Sequence, residues 1–204
     1  MTLQNPQGFF QTVRTKLFHG YLTQHQFDGI NALLAAWDAP GALALAGTTI
    51  IPRRWRAYAL ATVWWETDFT MQPVPEIGAG RGYKYGQPDG PYGQCYYGRG
   101  YPQLTWYRNY LQAQSRLSVA GVLAPGQDVC KTPDLACDPT VSSFILISGM
   151  TQGWFTGKKL EDYFPIEDAS AADWYGARRI INGLDHAADI AFAAQTFMDA
   201  LLAN

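Results

Sequence analysis

The segment from Thr67 to Tyr101 limits the possible folds of this chain more than any other part of the sequence. It is dense in Gly, Pro and Tyr, as in MQPVPEIGAGRGYKYGQPDGPYGQCYYGRGY, and Gly and Pro are the residues that a helix interior tolerates least. The composition therefore predicts an irregular segment with at most short strands. Loops of this length inside a compact domain usually carry function, so this segment is the first place to look for a binding site.

Helical periodicity dominates the rest of the sequence. Apolar residues recur at the spacing of a helix face, and an alanine-rich run after Pro52 has the composition of a largely buried helix. The chain is therefore expected to be mainly α. The last predicted helix has one apolar face, formed by Ile190, Ala194, Phe197 and Leu201. The predicted helices span residues 9–18, 27–37, 53–66, 105–117, 141–154, 171–181 and 187–202.

The length and composition predict one globular domain. The chain has 204 residues, of which 48% are hydrophobic and 16% charged, and these values lie within the range of folded proteins. No internal repeat or linker divides the sequence. We expect a single domain over residues 1–204, with an N-terminal helical part at residues 1–50 and a core at residues 53–203.

The charge pattern gives no support for a nucleic-acid or membrane partner. The formal net charge of -2 provides no basic field to hold a polyanion. The densest basic groups, at residues 53–56, 158–159 and 178–179, are predicted to lie on solvated helix faces or turns. No apolar stretch approaches the ~18 residues of a membrane span. We expect the protein to be a monomer.

The N-terminal sequence indicates synthesis without a secretion signal. MTLQNPQGFFQTVRTKLF lacks a positively charged segment followed by an apolar run and a small-residue cleavage site. The protein is therefore expected to be made in the cytoplasm and to leave by another route if it acts outside the cell.

Cysteine and histidine usage gives no indication of a disulfide scaffold or a metal site. Three cysteines are too few, and odd in number, for a disulfide framework, although a bridge between Cys130 and Cys137 is left open. His19, His25 and His186 are too far apart in sequence to indicate a local metal site. No GxSxG, Walker, GxGxxG or HExxH motif is present. No metal or cofactor is therefore expected, and hydrolysis by carboxylates is the remaining chemistry.

Two glutamates have the contrasting environments that acid–base hydrolysis requires. Glu66 ends an apolar helix in LATVWWETDFT, and burial against aromatic rings is expected to raise its pKa, so that it keeps a proton near neutral pH. Glu76 lies among Pro and Gly with Arg81 and Lys84 nearby, which favours the ionised form that a base needs. Such a pair is the minimum machinery of glycoside hydrolysis, but each glutamate could equally be a helix cap or half of an ion pair.

The clustering of aromatic residues is a second observation that bears on function. They make up 14% of the chain, and most Tyr and Trp lie between Trp55 and Tyr110. A cluster of this kind suits a cleft in which sugar rings stack. It equally suits a well-packed core, because Tyr and Trp bury a large area with one polar group, and composition alone leaves both interpretations open.

A long motif favours the functional interpretation of the two glutamates and the aromatic cluster over the structural one. The segment YYGRGYPQLTWYRNY, residues 96–110, resembles the signature of glycoside hydrolase family 19, which pairs a Tyr-Gly-Arg-Gly turn with Gln-Leu-Thr or Gln-Leu-Ser and a following Asn-Tyr. WETDFT resembles the family's His-Glu-Thr stretch, and RRIINGLD resembles its Ile-Asn-Gly motif. The matches occur in the family's order and span about residues 55–197. The resemblance implies a lysozyme-like α-helical fold and hydrolysis of a polysaccharide, either peptidoglycan or chitin.

The resemblance also implies roles for individual positions. The proton donor falls on Glu66, the base on Glu76, and the hydroxyl that helps to hold the attacking water on Thr105. Arg99 belongs to the turn that shapes the cleft, and it could equally be structural, because an Arg between two glycines can anchor a loop to buried carbonyl groups. The positions matched to substrate binding are Tyr96, Arg99, Gln103, Asn109 and Asn182.

Two departures from the family pattern bear on substrate binding. Trp65 replaces the usual His before the acid, and His186 stands where plant chitinases have Arg. Neither change removes a catalytic group. The base is the most open assignment, because the loop between the acid and the signature varies in length within the family, and Asp68 and Asp89 are alternatives to Glu76.

Three functions are compatible with these motifs. The leading hypothesis is a bacteriolytic, muramidase-type endolysin of a phage or prophage, which cuts the β-1,4 bonds of peptidoglycan after release through a holin or with the phage particle. A chitinase acting on β-1,4-linked N-acetylglucosamine uses the same acid, base and water, so the motifs do not separate the two. The third hypothesis is a non-catalytic cell-wall-binding module, and the joint presence of Glu66, Glu76 and Thr105 argues against it.

Overall fold

The computed structural model describes residues 3–168 and 170–203, and this part of the chain is mainly helical, as the sequence predicts. Two short antiparallel strands pair with Pro88 opposite Cys95. None of the described helices is long and apolar enough to cross a membrane. The elements are α1 (Pro6–Leu17), α2 (Gln24–Asp38), α3 (Ala42–Ala46), α4 (Arg53–Glu66), β1 (Pro88–Asp89), β2 (Gln94–Cys95), α5 (Tyr107–Val119), α6 (Pro139–Gln152), α7 (Leu160–Tyr163) and α8 (Ala187–Leu202).

Local sequence signals determine where several helices begin. At the start of α1 the Asn5 side chain accepts a hydrogen bond from the Gly8 N–H at 2.9 Å. Thr23 and Gln26 form a reciprocal capping box at the start of α2. Asp138 caps α6 by accepting from the first free N–H groups of that helix. These side chains satisfy backbone donors that have no partner within the helix.

The larger of two apolar cores lies among α1, α2, α4 and α8. Helix α4 is buried from Arg54 to Val63 and packs along α8, which α1 also contacts. The apolar face predicted for the last helix is buried in this core. Helices from residues 1–50 therefore share one core with the C-terminal helix.

A smaller core packs beneath the irregular segment. It contains side chains of α5, of the first half of α6 and of the turn around Tyr96. Helix α6 is buried from residue 141 to residue 151, and its second half belongs to the larger core. Because α6 joins the two cores, it fixes the position of the irregular segment relative to the end of α4.

The prediction of a helix at residues 171–181 is wrong. The chain there forms a turn and a 3-10 helix, Gly176–Ile180. The Asp173 side chain accepts a hydrogen bond from the Gly176 N–H at 2.6 Å, and such a local bond offers the backbone an alternative to the α-helix. The other predicted helices are present, with shifted bounds for α1, α2, α5 and α6. Helices α3 and α7 are too short to give a periodic signal.

The prediction that the basic groups are solvated is also wrong for three arginines. Arg54, Arg56 and Arg178 are buried. Arg56 pairs with Asp38 at 2.6 Å, and Arg54 donates to the backbone carbonyl of Pro165. A buried guanidinium needs partners of this kind because it does not lose its charge by deprotonation.

Candidate active site

A groove of about 700 Å³ opens where the end of α4 faces the irregular segment. Three parts of the chain form its walls: the C-terminal end of α4, the irregular segment with the start of α5, and the turns that follow α6 and precede α8. The groove lining includes most of the residues matched to the family's site, namely Glu66, Glu76, Gln103, Thr105, Asn109 and Asn182.

Glu66 is the last residue of α4, and its side chain is 15% exposed. Burial has the largest effect on this carboxyl group and raises its pKa, as the sequence predicts. Ion pairing with Arg178 opposes the rise, and the nearby charge of Asp185 adds to it. A buried carboxyl group with a raised pKa can hold the proton that a general acid donates.

Arg178 fixes the position of the Glu66 carboxylate. Its Nη1 donates to Glu66 Oε1. The same guanidinium donates through Nε to the backbone carbonyl of Asp185 at 3.1 Å and through Nη2 to the Asp185 carboxylate at 3.2 Å. Sequence reasoning missed this network because no local pattern links Arg178 to a carboxylate so distant in the chain. The only available signal was its place in the matched segment RRIINGLD.

Glu76 is held by the irregular segment itself. Its Oε1 accepts a hydrogen bond from the Tyr85 hydroxyl at 3.1 Å, and its Oε2 accepts one from the Gly98 N–H at 3.0 Å. Burial and the Glu76 carboxylate raise the pKa of Tyr85 to about 12, so this hydroxyl stays protonated at neutral pH. The predicted neighbours Arg81 and Lys84 are exposed, and the hydrogen bonds to the carboxylate come from Tyr85 and Gly98 instead.

The Gly-Arg-Gly turn allows this close approach to Glu76. The Glu76 N–H donates to the Gly98 carbonyl at 2.7 Å. A Cβ at Gly98 would lie 2.6 Å from Gln103 Oε1 and 3.3 Å from the Glu76 Cβ. Gly100 has a φ of 78°, and a Cβ there would lie 2.6 Å from Ser142 Oγ. Both glycines are therefore required by the close packing of the turn against its neighbours.

Three polar residues of the signature line the same wall. The amide nitrogen of Gln103 donates to the backbone carbonyls of residues 74 and 100 at 3.0 and 2.9 Å. The Thr105 hydroxyl is 3.4 Å from the Gln103 carbonyl, a distance too long for a strong hydrogen bond. Asn109 donates to the Thr105 carbonyl at 2.8 Å. Gln103 and Asn109 thus brace the backbone on either side of a Thr105 hydroxyl that retains capacity to bind a ligand.

Asn182 comes from the opposite wall. Its side chain is exposed and lines the groove beside Ile181. The Asn182 N–H donates to the Arg178 carbonyl at 3.1 Å, so its backbone is tied to the residue that pairs with Glu66. The groove is also lined by Trp106, Phe155 and Thr156, which the sequence did not single out.

Tyr96 and Arg99 lie behind the groove wall and do not line it. Tyr96 is 1% exposed, and its hydroxyl donates to a backbone carbonyl of the smaller core at 2.7 Å. Arg99 donates to the carbonyls of Cys95 and Tyr97 at 3.0 and 3.3 Å and pairs with Asp134 at 2.7 Å. The substrate-binding role predicted for both residues does not fit this placement. Their contacts anchor the signature turn, which for Arg99 is the alternative that the sequence left open.

The remaining predicted groups lie outside the groove lining. Asp68 and Asp89, the alternatives to Glu76, are exposed and do not line the groove. Cys130 and Cys137 are free thiols, so the bridge between them is not formed. Within residues 3–168 and 170–203, no three His, Cys, Asp or Glu side chains come together as potential metal ligands.

The fold is similar to that of a known chitinase. A crystal structure of a chitinase C mutant, in which a glutamate is changed to glutamine, aligns with a TM-score of 0.59, and the match covers 95% of this chain and 90% of that chain. The two sequences are 21% identical, so the likeness shows a shared fold alone. No family model matches the chain, and no curated protein matches it in sequence.

Proposed function

We propose that this protein is a glycoside hydrolase that cleaves β-1,4 bonds in a polymer of N-acetylated amino sugars. One observation carries the proposal: two glutamates in contrasting surroundings line a single groove. Glu66 is largely buried, with 15% of its side chain exposed, and has a raised pKa, whereas Glu76 accepts two hydrogen bonds from the irregular segment. This is the division of labour that hydrolysis by an acid and a base requires.

In the proposed mechanism Glu66 is the general acid. It donates its proton to the glycosidic oxygen as the bond to the anomeric carbon breaks. Arg178, paired with Asp185, orients the carboxyl group and stabilises the carboxylate that forms when the proton leaves. Trp65, the residue before Glu66, lines the same groove.

Glu76 is the proposed base. It accepts a proton from a water molecule that attacks the anomeric carbon from the opposite face, with the Thr105 hydroxyl helping to hold that water. Direct attack by water inverts the configuration at the anomeric carbon, and it requires carboxyl groups ~6.5 to 9.5 Å apart. The resemblance to family 19 supports this order of events.

Peptidoglycan is the substrate that we propose first. The short spacing between Glu66 and Glu76 in the sequence is the one found in phage lysis enzymes of the family that the signature resembles. Chitin is the second candidate, supported by the name of the structurally similar protein, a chitinase C. Both polymers present β-1,4-linked N-acetylated amino sugars to the same acid and base.

Product analysis tests the proposal and separates the two substrates. Purified protein is incubated with peptidoglycan sacculi and with chitin oligosaccharides, and the products are separated by chromatography. We expect muropeptides with new reducing ends, and proton NMR of the first product should show the α-anomer. If chitin oligosaccharides alone are cleaved, the substrate is chitin and not peptidoglycan. An initial β-anomer would exclude direct attack by water. Binding to either polymer without new reducing ends would indicate a wall-binding module.

A further inference from the structure

Two consecutive residues at the end of α4 are linked to two consecutive residues before α8, one pair through Arg178 and the other by direct contact. The carboxylate of Glu66 is held through Arg178 by Asp185. The indole of Trp65 is stacked on the imidazole of His186, with ring centroids 4.3 Å apart and planes at 27°. The turn at residues 185–186 therefore holds both the acid and the aromatic residue beside it.

His186 has an unusual backbone conformation for its residue type. Its φ is 56°, in the left-handed region that favours glycine, and it occupies the N-cap position of α8. Its side chain makes no capping hydrogen bond to the helix. A non-glycine residue that adopts this conformation without capping gives up stability at a position where Gly or Asn would cost less. The side chain instead stacks on Trp65, at a centroid distance of 4.3 Å.

Trp65 is the side chain that this stack positions. It lines the groove next to Glu66. Behind it, Phe69 packs edge-on at a centroid distance of 5.9 Å and Trp64 lies at 6.1 Å. The imidazole Nδ1 of His186 lies 3.6 Å from the Asp189 carboxylate on α8, which is longer than a hydrogen bond. The indole is thus packed between an aromatic cluster and the His186 imidazole.

We propose that His186 is a positioning residue that holds Trp65 as a stacking surface for the sugar unit beside the cleaved bond. This inference rests on the proposed glycoside hydrolase function and deepens it. Indole rings bind the apolar faces of sugars, and a surface already held in place loses less conformational entropy when a sugar binds. Because the stack acts on the ground-state complex, it affects KM more than kcat.

Substitution by glycine separates positioning from structural support. His186→Gly removes the stack and relieves the left-handed backbone, so its Tm should equal or exceed that of the wild type. Its KM for a defined oligosaccharide should rise about three- to tenfold, the range of one aromatic contact, while kcat stays within about threefold. His186→Phe keeps an aromatic ring in the stack and should restore KM.

His19 provides a matched control. It is also an exposed histidine with a left-handed backbone, φ 53°, and it lies after α1, away from the groove lining. His19→Gly should change Tm in the same direction as His186→Gly and leave KM and kcat unchanged. A KM change of equal size in both variants would show that backbone strain, and not the stack, is responsible.

A double variant completes the test. Trp65→Ala should raise KM, and adding His186→Gly to it should have no further effect, because both substitutions remove the same surface. A KM for His186→Gly within twofold of the wild-type value, or a further rise in the double variant, would overturn the inference while leaving the hydrolase function intact. Failure of the wild-type protein to bind or cleave either polymer would overturn both.

Discussion

Glu66 and Glu76 line one groove but are held in opposite ways. Glu66 ends a buried helix, and its partner Arg178 comes from a distant turn. Glu76 lies in an irregular segment and is held by two neighbours in that same segment, Tyr85 and Gly98. The position of the acid therefore depends on packing between helices, whereas that of the base depends on the conformation of one loop.

This difference predicts how each residue tolerates change. Burial raises the pKa of the Glu66 carboxyl group, and the buried Arg178 opposes that rise. Glu76 is half-buried, and its hydrogen bonds come from one side chain and one backbone N–H. Substitutions around the acid should thus alter both pH dependence and stability, and those around the base should alter activity alone.

The largest effect is expected for Glu66→Gln. Activity should fall roughly 10³-fold, because Gln has no proton to donate and no other acid lies beside the leaving oxygen. The measurement is hydrolysis of sacculi at the optimal pH, together with a thermal melt. Glu161→Gln, at an exposed residue paired with Lys159, is the control and should retain full activity. A folded Glu66→Gln protein within tenfold of wild type would remove Glu66 from the mechanism.

Glu76→Gln should lower activity roughly 10²-fold because the attacking water loses its base. The Tm should change little, since the amide oxygen can still accept from the Gly98 N–H while the amide nitrogen donates to the Tyr85 hydroxyl oxygen. Asp68→Asn and Asp89→Asn change the two alternative carboxylates and should remain close to wild type. Loss of activity in either of these, with Glu76→Gln active, would transfer the base role.

Arg178→Met changes the surroundings of the acid, Glu66, and leaves those of the base, Glu76, unchanged. Arg178 lowers the pKa of Glu66, so its removal should raise that pKa further and move the alkaline limb of kcat/KM to higher pH. Activity at the optimum should fall about tenfold as the carboxyl group loses its orientation, and breaking a buried pair should cost about 3 kcal/mol of stability. The neighbouring Arg179 is exposed, and Arg179→Met should leave the pH profile in place. An alkaline limb that moves to lower pH would contradict the assignment of Glu66 as the acid.

The smallest effect is expected for Tyr85→Phe. It removes one of the two hydrogen bonds to Glu76 and should lower kcat about threefold, consistent with the modest worth of a single bond. The thermal melt should be unchanged within error. Tyr83→Phe is a suitable control, because Tyr83 stacks on Tyr85 and is 60% exposed. Both substitutions keep the stacked rings, so equal losses in the two variants would show that the hydrogen bond to Glu76 is not what supports the base.

Much of the fold could be predicted from the sequence because its helices carry strong local signals. Three kinds of signal depend only on neighbours in the chain: the alanine-rich composition of residues 53–66, the periodicity of residues 187–202, and the capping residues before α1, α2 and α6. The density of Gly and Pro in residues 67–101 likewise indicated an irregular segment directly. The helix expected at residues 171–181 failed because Asp173 competes for the backbone of Gly176, a contact that periodicity does not register.

The residue types of the candidate site, and their order along the chain, could be read from the sequence. Which of these residues share a groove and which support it depends on how the chain packs. Arg178, expected to be a surface charge, is buried and pairs with Glu66. Tyr96 and Arg99 are buried behind the groove wall. Packing also brings Trp65 against His186. These outcomes depend on contacts between residues far apart in the chain, where burial and charge pairing outweigh local preference.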